Sequence, residues 1–136
     1  MKLSTRSRYG TKLMVDLAQH VDQGPVPIYD IAKRQDISVK YLEQLIIPLK
    51  KAKYIKSVRG PKGGHMLAKA LEEVTIGDIV RLLESEPWVV PCLEDPKKCN
   101  VTDRCRTRRL WEKASKAFYD TLDSVTLAEI IKSHWK

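Results

Sequence analysis

The sequence predicts a mainly α-helical fold that carries one small β-hairpin. Apolar residues recur at intervals of three and four along several stretches, which is the spacing of one face of a helix. A serine or threonine, the residue types that cap helix N-termini, precedes most of these stretches. A glycine-rich segment at residues 60–64 separates two short runs of strand-forming residues, and this order predicts the hairpin.

The length and the charge distribution limit what the chain can be. Its 136 residues, 43% of them apolar, suffice for one domain with its own core, or for a small domain with an appendage. Residues 1–69 contain 14 Lys and Arg against 5 Asp and Glu, whereas residues 70–136 contain 11 against 12. A basic N-terminal half indicates a polyanionic partner, most commonly nucleic acid; a basic surface that only aids solubility is the alternative.

The sequence has no apolar run of about twenty residues, the length that spans a membrane. Its N-terminal segment MKLSTRSRYG lacks the apolar centre of a signal peptide. We therefore expect a soluble, cytoplasmic protein that has no membrane partner and lies in a compartment that keeps thiols reduced.

The first two predicted helices are packing elements. The first begins at Ser4 or Thr5 and continues to about Val21, where the sequence Gly-Pro-Val-Pro at residues 24–27 ends it. A short helix follows over about residues 28–35. Both have apolar residues at helical spacing, so both are expected to contribute to one core.

A third helix is predicted directly after a tight turn at residues 36–37. Two short helices joined by such a turn, the second polar at its start, form a helix-turn-helix pattern, in which the second helix enters the major groove of DNA. Pro48 is expected to weaken or kink the last turn of this helix, because its ring clashes with the carbonyl four residues earlier. The exposed start of the helix contains the candidate base-reading residues Ser38, Lys40, Tyr41, Glu43 and Gln44.

Residues 54–69 predict a basic hairpin with a glycine-rich tip. After a helix-turn-helix, such a hairpin is the wing of a winged-helix domain and reaches a groove or the phosphates. The candidate contacts are Ser57, Arg59 and Lys62. An ordinary surface hairpin is the alternative; a nucleotide-binding loop is excluded, because the G-x4-G-K-[ST] order is missing.

Three further helices are predicted in the C-terminal half. Thr75 caps one that continues to about Ser85, and Thr126 caps a short last one that ends near His134. Between them, a long helix from about residue 106 to 124 carries an apolar stripe that is longer than one small domain needs. We expect it to pair two subunits on a palindromic operator; packing against the first helix is the alternative. The stripe comprises Leu110, Ala114, Ala117, Phe118, Thr121, Leu122 and Val125.

All three cysteines lie in one segment, where Cys92, Cys99 and Cys105 are separated by six and then five other residues. Thiolates are soft ligands that favour zinc, copper(I) or an iron-sulfur cluster. Nearby basic residues are expected to lower the thiol pKa values and to offset the charge of a cluster. They are Lys97, Lys98, Arg104 and Arg106. The segment therefore predicts a thiolate-held metal centre, with an iron-sulfur cluster as the first hypothesis.

Other interpretations of the cysteine segment remain open. Structural zinc sites usually have closely paired cysteines and four protein ligands, but these spacers are wide and residues 66–133 contain no histidine. A disulfide with a spare thiol, or three unrelated cysteines, would also account for the composition.

Several motifs carry a resemblance to a known family. They are the N-terminal MKLSTRSRYG, GPVPIYDIAKRQDIS at residues 24–38, YLEQL at 41–45, SVRGPKGG at 57–64, the three cysteines and TLAEI at 126–130. Over nearly its full length the chain resembles the IscR-type iron-sulfur regulators, the winged-helix family that also includes NsrR and RirA. The resemblance implies a homodimer that binds operator DNA. It also implies a [2Fe-2S] or [4Fe-4S] cluster that senses iron-sulfur status, iron, nitric oxide or redox state.

The sequence departs from this family at the fourth cluster ligand. Members that place a histidine three residues past the last cysteine would need it at Arg108, and members that use an acidic residue near the N-terminus would need it at Arg8. Neither arginine is a ligand. The fourth ligand is therefore unknown, with Asp103, a residue of the partner subunit, water or a small thiol as the possibilities.

Together these observations divide the chain into a winged helix-turn-helix DNA-binding domain at residues 1–86, a cluster-binding cysteine segment at 87–107, and a dimerisation helix with a C-terminal helix at 108–136. The expected function is transcriptional regulation in which the cluster controls operator binding. An iron-sulfur electron carrier and a cofactor-free nucleic-acid-binding protein are the alternatives, although a ferredoxin needs four reliable ligands. We expect no enzymatic activity, because no catalytic Ser/His/Asp or Cys/His set is present.

Overall fold

The computed structural model describes residues 2–135, with side chains at all of these positions except 102 and 133. Six α-helices and one antiparallel two-stranded sheet occupy this part of the chain, which confirms the predicted fold class. The helices are α1 (Thr5–Gln19), α2 (Ile28–Gln35), α3 (Val39–Lys51), α4 (Ile76–Leu83), α5 (Arg108–Asp123) and α6 (Leu127–Ile130), and the strands are β1 (Ile55–Val58) and β2 (Gly64–Leu67). All eight elements contribute buried apolar side chains to one core. Within residues 2–135, no helix is long and apolar enough to cross a membrane.

Helix α1 begins as predicted but ends earlier. The Ser4 side chain accepts a hydrogen bond from the Ser7 N–H, which caps the N-terminus. The helix ends at Gln19 because the chain turns at His20, so Val21 enters a short 3-10 helix and is 40% exposed. The helix therefore stops two residues short of the predicted end at Val21.

Helices α2 and α3 form the predicted helix-turn-helix unit. Asp36 takes the left-handed conformation, with φ of 54°, at the turn, and Ser38 caps α3 by accepting a hydrogen bond from the Tyr41 N–H. Pro48 does not end α3, which continues to Lys51. Its last turn still forms, because proline lacks an N–H donor but keeps its carbonyl, and the Pro48 carbonyl accepts from the Ala52 N–H at 3.0 Å.

The hairpin packs against the segment that precedes α2. In the sheet, Ile55 lies opposite Leu67 and Val58 lies opposite Gly64. The backbones of Val26 and His65 exchange two hydrogen bonds of 2.8 and 2.9 Å. A Cβ atom on Gly64 would overlap the backbone of Val26, so glycine permits this close approach.

Helix α4 connects the N-terminal helices to the C-terminal half. It begins with a capping box, in which the side chains of Thr75 and Asp78 each accept a hydrogen bond of 3.0 Å from the other residue's N–H. A Cβ atom on Gly10 of α1 would overlap the Leu83 side chain, so α1 and α4 lie in close contact. Helix α6 buries Leu127 in the same core.

Helix α5 packs on α4 through one face and leaves its predicted apolar stripe largely exposed. Its buried residues are Ser115 and Tyr119. Arg81 of α4 makes two hydrogen bonds of 2.7 Å to Asp123 of α5. Within the stripe, Leu110 is 56% exposed. Ala114, Ala117 and Thr121 are also exposed, while Phe118, Leu122 and Val125 are half-buried against the core.

Candidate nucleic-acid interface and cysteine segment

The start of α3 presents polar side chains to solvent. Lys40, Glu43 and Gln44 are exposed, as predicted, and Ser38 is exposed at the cap. Tyr41 was expected to point outward, but it is half-buried and packs edge-to-face on Tyr9 of α1, with the ring centroids 5.8 Å apart. A tyrosine ring has a large apolar area, so packing it against α1 is more favourable than leaving it in solvent. Tyr41 therefore helps to hold α3 on α1.

The wing places its two predicted basic residues at an exposed tip. Arg59 and Lys62 are both exposed, and the Gly63 N–H donates to the Gly60 carbonyl at 2.9 Å to close the turn between them. Ser57 differs from them, because it is half-buried and its hydroxyl shares a 2.8 Å hydrogen bond with His65 Nδ1 on the opposite strand. Arg59 and Lys62 are thus available to a ligand, whereas Ser57 contributes to the wing's internal structure.

His65 pairs with Ser57 below this exposed tip, and its surroundings favour the neutral imidazole. Burial lowers the pKa of His65, and the nearby charge of Lys50 lowers it further, while Glu43 raises it. The lower pKa favours the uncharged imidazole. The positive charge of the wing therefore comes from its lysines and arginine.

A second basic surface was missed by the sequence analysis. Four lysines from the end of α3, the turn after it, β1 and the chain after β2 surround an open cavity of about 640 Å³ with an apolar base. They are Lys50, Lys53, Lys56 and Lys69. The sequence signal was the density of lysines between residues 50 and 69. Clustered lysines of this kind suit phosphate groups, which a DNA backbone supplies.

Two exposed apolar side chains were also not predicted from the sequence. Tyr29, at the start of α2, is 73% exposed, and Ile47 of α3 is 67% exposed. Side chains of this type can contact sugars or thymine methyl groups. Single exposed apolar residues are common on surfaces, so sequence alone offered no reason to select them.

The position of the helix-turn-helix unit depends on a buried carboxylate. Asp16 of α1 is fully buried and accepts hydrogen bonds from Arg34 and Gln35 at the end of α2. Lys12 of α1 donates to the Gln35 carbonyl at 2.9 Å. Burial raises the pKa of Asp16, but the hydrogen bonds from Arg34 and Gln35 outweigh it and hold the pKa below its usual value. The carboxylate therefore remains charged and anchors α2 to α1.

The cysteine segment is a series of short 3-10 helices between α4 and α5. Cys92 lies within the first, Pro91–Leu93, while Cys99 follows Pro96–Lys98 and Cys105 follows Thr102–Arg104. All three cysteines are half-buried. Arg108, at the start of α5, donates to the Cys92 carbonyl at 3.4 Å and pairs with Glu112. The residue that stands at the family's histidine position thus connects the beginning of the segment to α5.

The surroundings of Cys105 lower the pKa of its thiol. Its sulfur lies 3.2 Å from the hydroxyl oxygen of Thr107. The hydrogen bond with that hydroxyl lowers the pKa of Cys105, and the backbone N–H groups of Arg108 and Thr107 lower it further. The thiolate is the form that binds a metal.

The three thiols are the type of donor that an iron-sulfur centre needs, but among the described residues they are not grouped as its ligands. Three cysteines supply soft thiolate donors. Within the part of the chain that the structure describes, however, no three His, Cys, Asp or Glu side chains are grouped so that they could hold a metal ion. Binding a cluster would therefore require the segment to bring its thiols together.

Comparison with known proteins identifies the family. The sequence model of the Rrf2 family, described as an iron-dependent transcriptional regulator, matches residues 3–133. The chain belongs to the Rrf2 family. This Rrf2-family chain is 48% identical over 132 residues to the protein rrf2 of Nitratidesulfovibrio vulgaris strain Hildenborough, an alignment that covers 97% of this chain and 88% of the relative.

Solved structures of two relatives have the same fold. The chain is similar to T. potens IscR, with 42% identity, a TM-score of 0.82, and coverage of 98% of this chain and 88% of that one. It is also similar to CymR, the global cysteine regulator of B. subtilis, with 38% identity, a TM-score of 0.79 and coverage of 96% of each chain. This Rrf2-family protein is therefore a DNA-binding transcriptional regulator, not an enzyme, and the resemblance to IscR-type regulators is confirmed.

Proposed function

We propose that this Rrf2-family regulator binds a palindromic operator as a homodimer, and that an iron-sulfur cluster held by its cysteines controls the binding. The observation that carries the DNA-binding part is the exposed polar start of α3 next to an exposed basic wing. A helix of this type reads base edges in the major groove, and the wing contacts an adjacent groove or the phosphates.

Within this interface the predicted residues have different roles. Lys40, Glu43 and Gln44 of α3 and Arg59 of the wing contact bases, because their exposed side chains are long enough to reach base edges. Lys62 contacts phosphates, together with the four lysines that surround the 640 Å³ cavity. Ser38, Tyr41 and Ser57 position the interface. Ser38 caps α3, Tyr41 packs α3 on α1, and Ser57 joins the two strands of the wing.

The exposed stripe of α5 supports the homodimer. Leu110 is 56% exposed and Trp111 is 37% exposed, and Ala114, Ala117 and Thr121 of the stripe are also exposed. A contiguous exposed apolar surface on a regulator marks a contact with another protein. A cavity of about 440 Å³ between α1, α4 and Leu122, with Ile76 and Val80 among its lining residues, offers a place for side chains of a second copy. A two-fold dimer would present two reading helices to two half-sites.

The cysteine segment supports the sensing part of the proposal. Cys92, Cys99 and Cys105 would hold the cluster, and the lowered pKa of Cys105 favours the thiolate, which is the form that binds metal. When bound, a cluster supplies a centre that responds to iron supply, oxygen or nitric oxide. The fourth ligand remains unassigned, because Arg108 is already committed to the Cys92 carbonyl and Glu112. The segment joins α4 to α5. Ordering it would therefore affect the distance between the two helix-turn-helix units of the dimer.

A second candidate is a regulator in which the cysteine segment holds no cluster. The observation that favours it is the arrangement of the described residues, in which the thiols are not grouped as metal ligands. Similarity to CymR, a global cysteine regulator, is almost as high as similarity to T. potens IscR. In this case the regulatory signal would be related to cysteine metabolism.

The deciding experiment compares iron content with operator binding. An operator is first selected from random DNA with anaerobically purified protein. Binding is then measured for the anaerobic protein, for air-exposed protein and for Cys99→Ala, with the iron and sulfide content of each sample. The proposal expects a brown anaerobic protein whose operator affinity changes about ten-fold when iron is lost, which corresponds to about 1.4 kcal/mol of coupling. Equal affinity in all three samples with iron falling to zero would reject cluster control, and a colourless protein that never contains iron would favour the second candidate.

A further inference from the structure

A pocket of about 420 Å³ lies between α4, α5 and the beginning of the cysteine segment. Its volume is within the range of about 300–1,000 Å³ that is usual for small-molecule sites. One wall is apolar and comes from the chain that follows α4, with Pro87, Trp88 and Leu93. The pocket lies apart from the proposed DNA-reading surface, because none of its lining residues belongs to α3 or to the wing.

One residue that lines the pocket carries a buried polar atom that lacks a partner. Tyr119 is 7% exposed, and its hydroxyl is buried without a hydrogen-bond partner among the residues described by the structure. Ser115, one turn earlier on α5, is 6% exposed and also lines the pocket. This oxygen has almost no accessible surface, so a ligand must shift the neighbouring side chains to reach it. Leaving a buried hydroxyl unpaired costs about 1–3 kcal/mol, which favours a ligand that bonds to it. Burial raises the pKa of Tyr119, so the hydroxyl stays protonated and can donate.

The charged residues at the rim are already paired. Arg81 makes its bidentate contact with Asp123, and its guanidinium lies 4.4 Å from the centroid of the Tyr119 ring. Lys116 and Asp120 pair with each other at 2.5 Å. Glu112, the remaining charged lining residue, pairs with Arg108 at 2.6 Å. A charged ligand would have to compete with these pairs, whereas an uncharged ligand leaves them intact.

The pocket also lies on the side of α5 that the proposed dimer does not use. With 3.6 residues per turn, Ser115 and Tyr119 project from the opposite side of the helix to Leu110, Ala114 and Ala117. The contact between two subunits along the stripe would therefore leave the pocket open.

We propose that this pocket binds a small, uncharged aromatic molecule that carries one hydrogen-bonding group. The exposed part of the Trp88 ring, which is 43% exposed, provides a stacking surface for such a molecule. The Tyr119 hydroxyl supplies the polar contact that selects for the hydrogen-bonding group. Because Trp88 and Leu93 flank Cys92 in the sequence, an occupied pocket would hold the beginning of the cysteine segment against α5.

The test uses 2-naphthol and naphthalene as probes, since the two differ by one hydroxyl group. Equilibrium dialysis of each probe against the purified full-length protein measures affinity without DNA or iron, so its outcome is separate from that of the proposed function. We expect saturable binding of both probes, one per chain. Tyr119→Phe, which removes only the unpaired oxygen, should weaken 2-naphthol binding about five-fold, as expected for one neutral hydrogen bond, and leave naphthalene binding unchanged.

Two tryptophan variants complete the experiment. Trp88→Ala should weaken the binding of both probes about ten-fold, because it removes the stacking surface. Trp135→Ala is the matched control, since Trp135 is 48% exposed and does not line the pocket, and it should bind both probes as the unmodified protein does. Trp88 is itself partly exposed, so its loss should leave the melting temperature nearly unchanged. The proposal is overturned if neither probe saturates, if Trp88→Ala binds both normally, or if Tyr119→Phe affects the two probes equally.

Discussion

The guanidinium of Arg34 donates two hydrogen bonds to the buried carboxylate of Asp16, through Nε at 2.9 Å and through Nη2 at 2.8 Å. The pair joins the end of α2 to the last turn of α1. Bidentate arginine-carboxylate contacts determine orientation as well as distance. Asp16 and Arg34 therefore set the position of the helix-turn-helix unit on the core.

Asp16→Asn should destabilise the protein by about 2 kcal/mol, because the charged partner of Arg34 is removed from a buried position. The value is below that for a fully buried pair, since the Arg34 side chain is 36% exposed and solvent screens its charge. Urea unfolding measures the change. Asp22→Asn, the same substitution at an exposed residue, is the control and should alter stability by less than about 0.5 kcal/mol.

The stabilisation from Asp16 should depend on pH in a defined direction. Burial raises the pKa of Asp16, but the hydrogen bonds from Arg34 and Gln35 dominate, so the folded pKa lies below the ordinary value of 3.8. A lowered folded pKa contributes stability above the unfolded pKa, and this contribution is lost as the pH falls through the folded pKa. The stability difference between the unmodified protein and Asp16→Asn should therefore be largest near pH 7 and decrease below about pH 4. An equal difference at pH 7 and pH 3 in urea unfolding would contradict this assignment.

Arg59→Ala should weaken binding to the selected operator by about 1–3 kcal/mol if Arg59 makes a bidentate contact with a base. The side chain is exposed at the wing tip, so its removal should not affect folding. Fluorescence anisotropy with the operator and with an unrelated duplex measures both the affinity and the specificity. Lys132→Ala, at an exposed residue beyond α6, serves as the control. Unchanged affinity of Arg59→Ala would remove Arg59 from the interface.

Glu43→Ala should relax sequence preference without weakening general DNA binding. Glu43 is an exposed carboxylate on α3, and it repels phosphates unless it accepts a hydrogen bond from a cytosine amino group. Its removal should leave affinity for unrelated DNA equal or tighter, while affinity for the operator falls. Competition binding against a panel of single-base operator variants measures this change. A uniform loss of affinity across the whole panel would argue against a base-reading role.

Leu110→Glu should produce a monomer that binds the operator weakly, because it places a charge in the proposed seam between subunits. Leu110 is a sharper site for this test than Phe118, since Phe118 is half-buried and packs edge-to-face on Tyr119 within the same chain. Sedimentation equilibrium gives the oligomeric state, and circular dichroism checks that the chain remains folded. Gln23→Glu adds the same charge at an exposed residue outside α5 and should remain dimeric. A dimeric Leu110→Glu variant would exclude the stripe as the seam.

The local features of the fold were predictable from the sequence because they depend on residues within one or two turns. Ser38, Thr75 and Thr126 all cap helices as predicted, since a cap needs only a side-chain oxygen and the N–H group three residues later. The hairpin was predictable for the same reason. Its glycine-rich tip and two flanking runs are contiguous, and the strands at residues 55–58 and 64–67 nearly match the prediction.

The sequence by itself determined the order of the elements, their caps, the basic N-terminal half and the single segment that holds all three cysteines. Only the tertiary structure decided which residues far apart in the chain meet. It turned Tyr41 onto Tyr9, gathered lysines from both sides of β1 around one cavity and placed the guanidinium of Arg81 over the ring of Tyr119. The physical reason is that helical periodicity shows which face of a helix is apolar, whereas the partner that buries this face depends on how all the helices pack together.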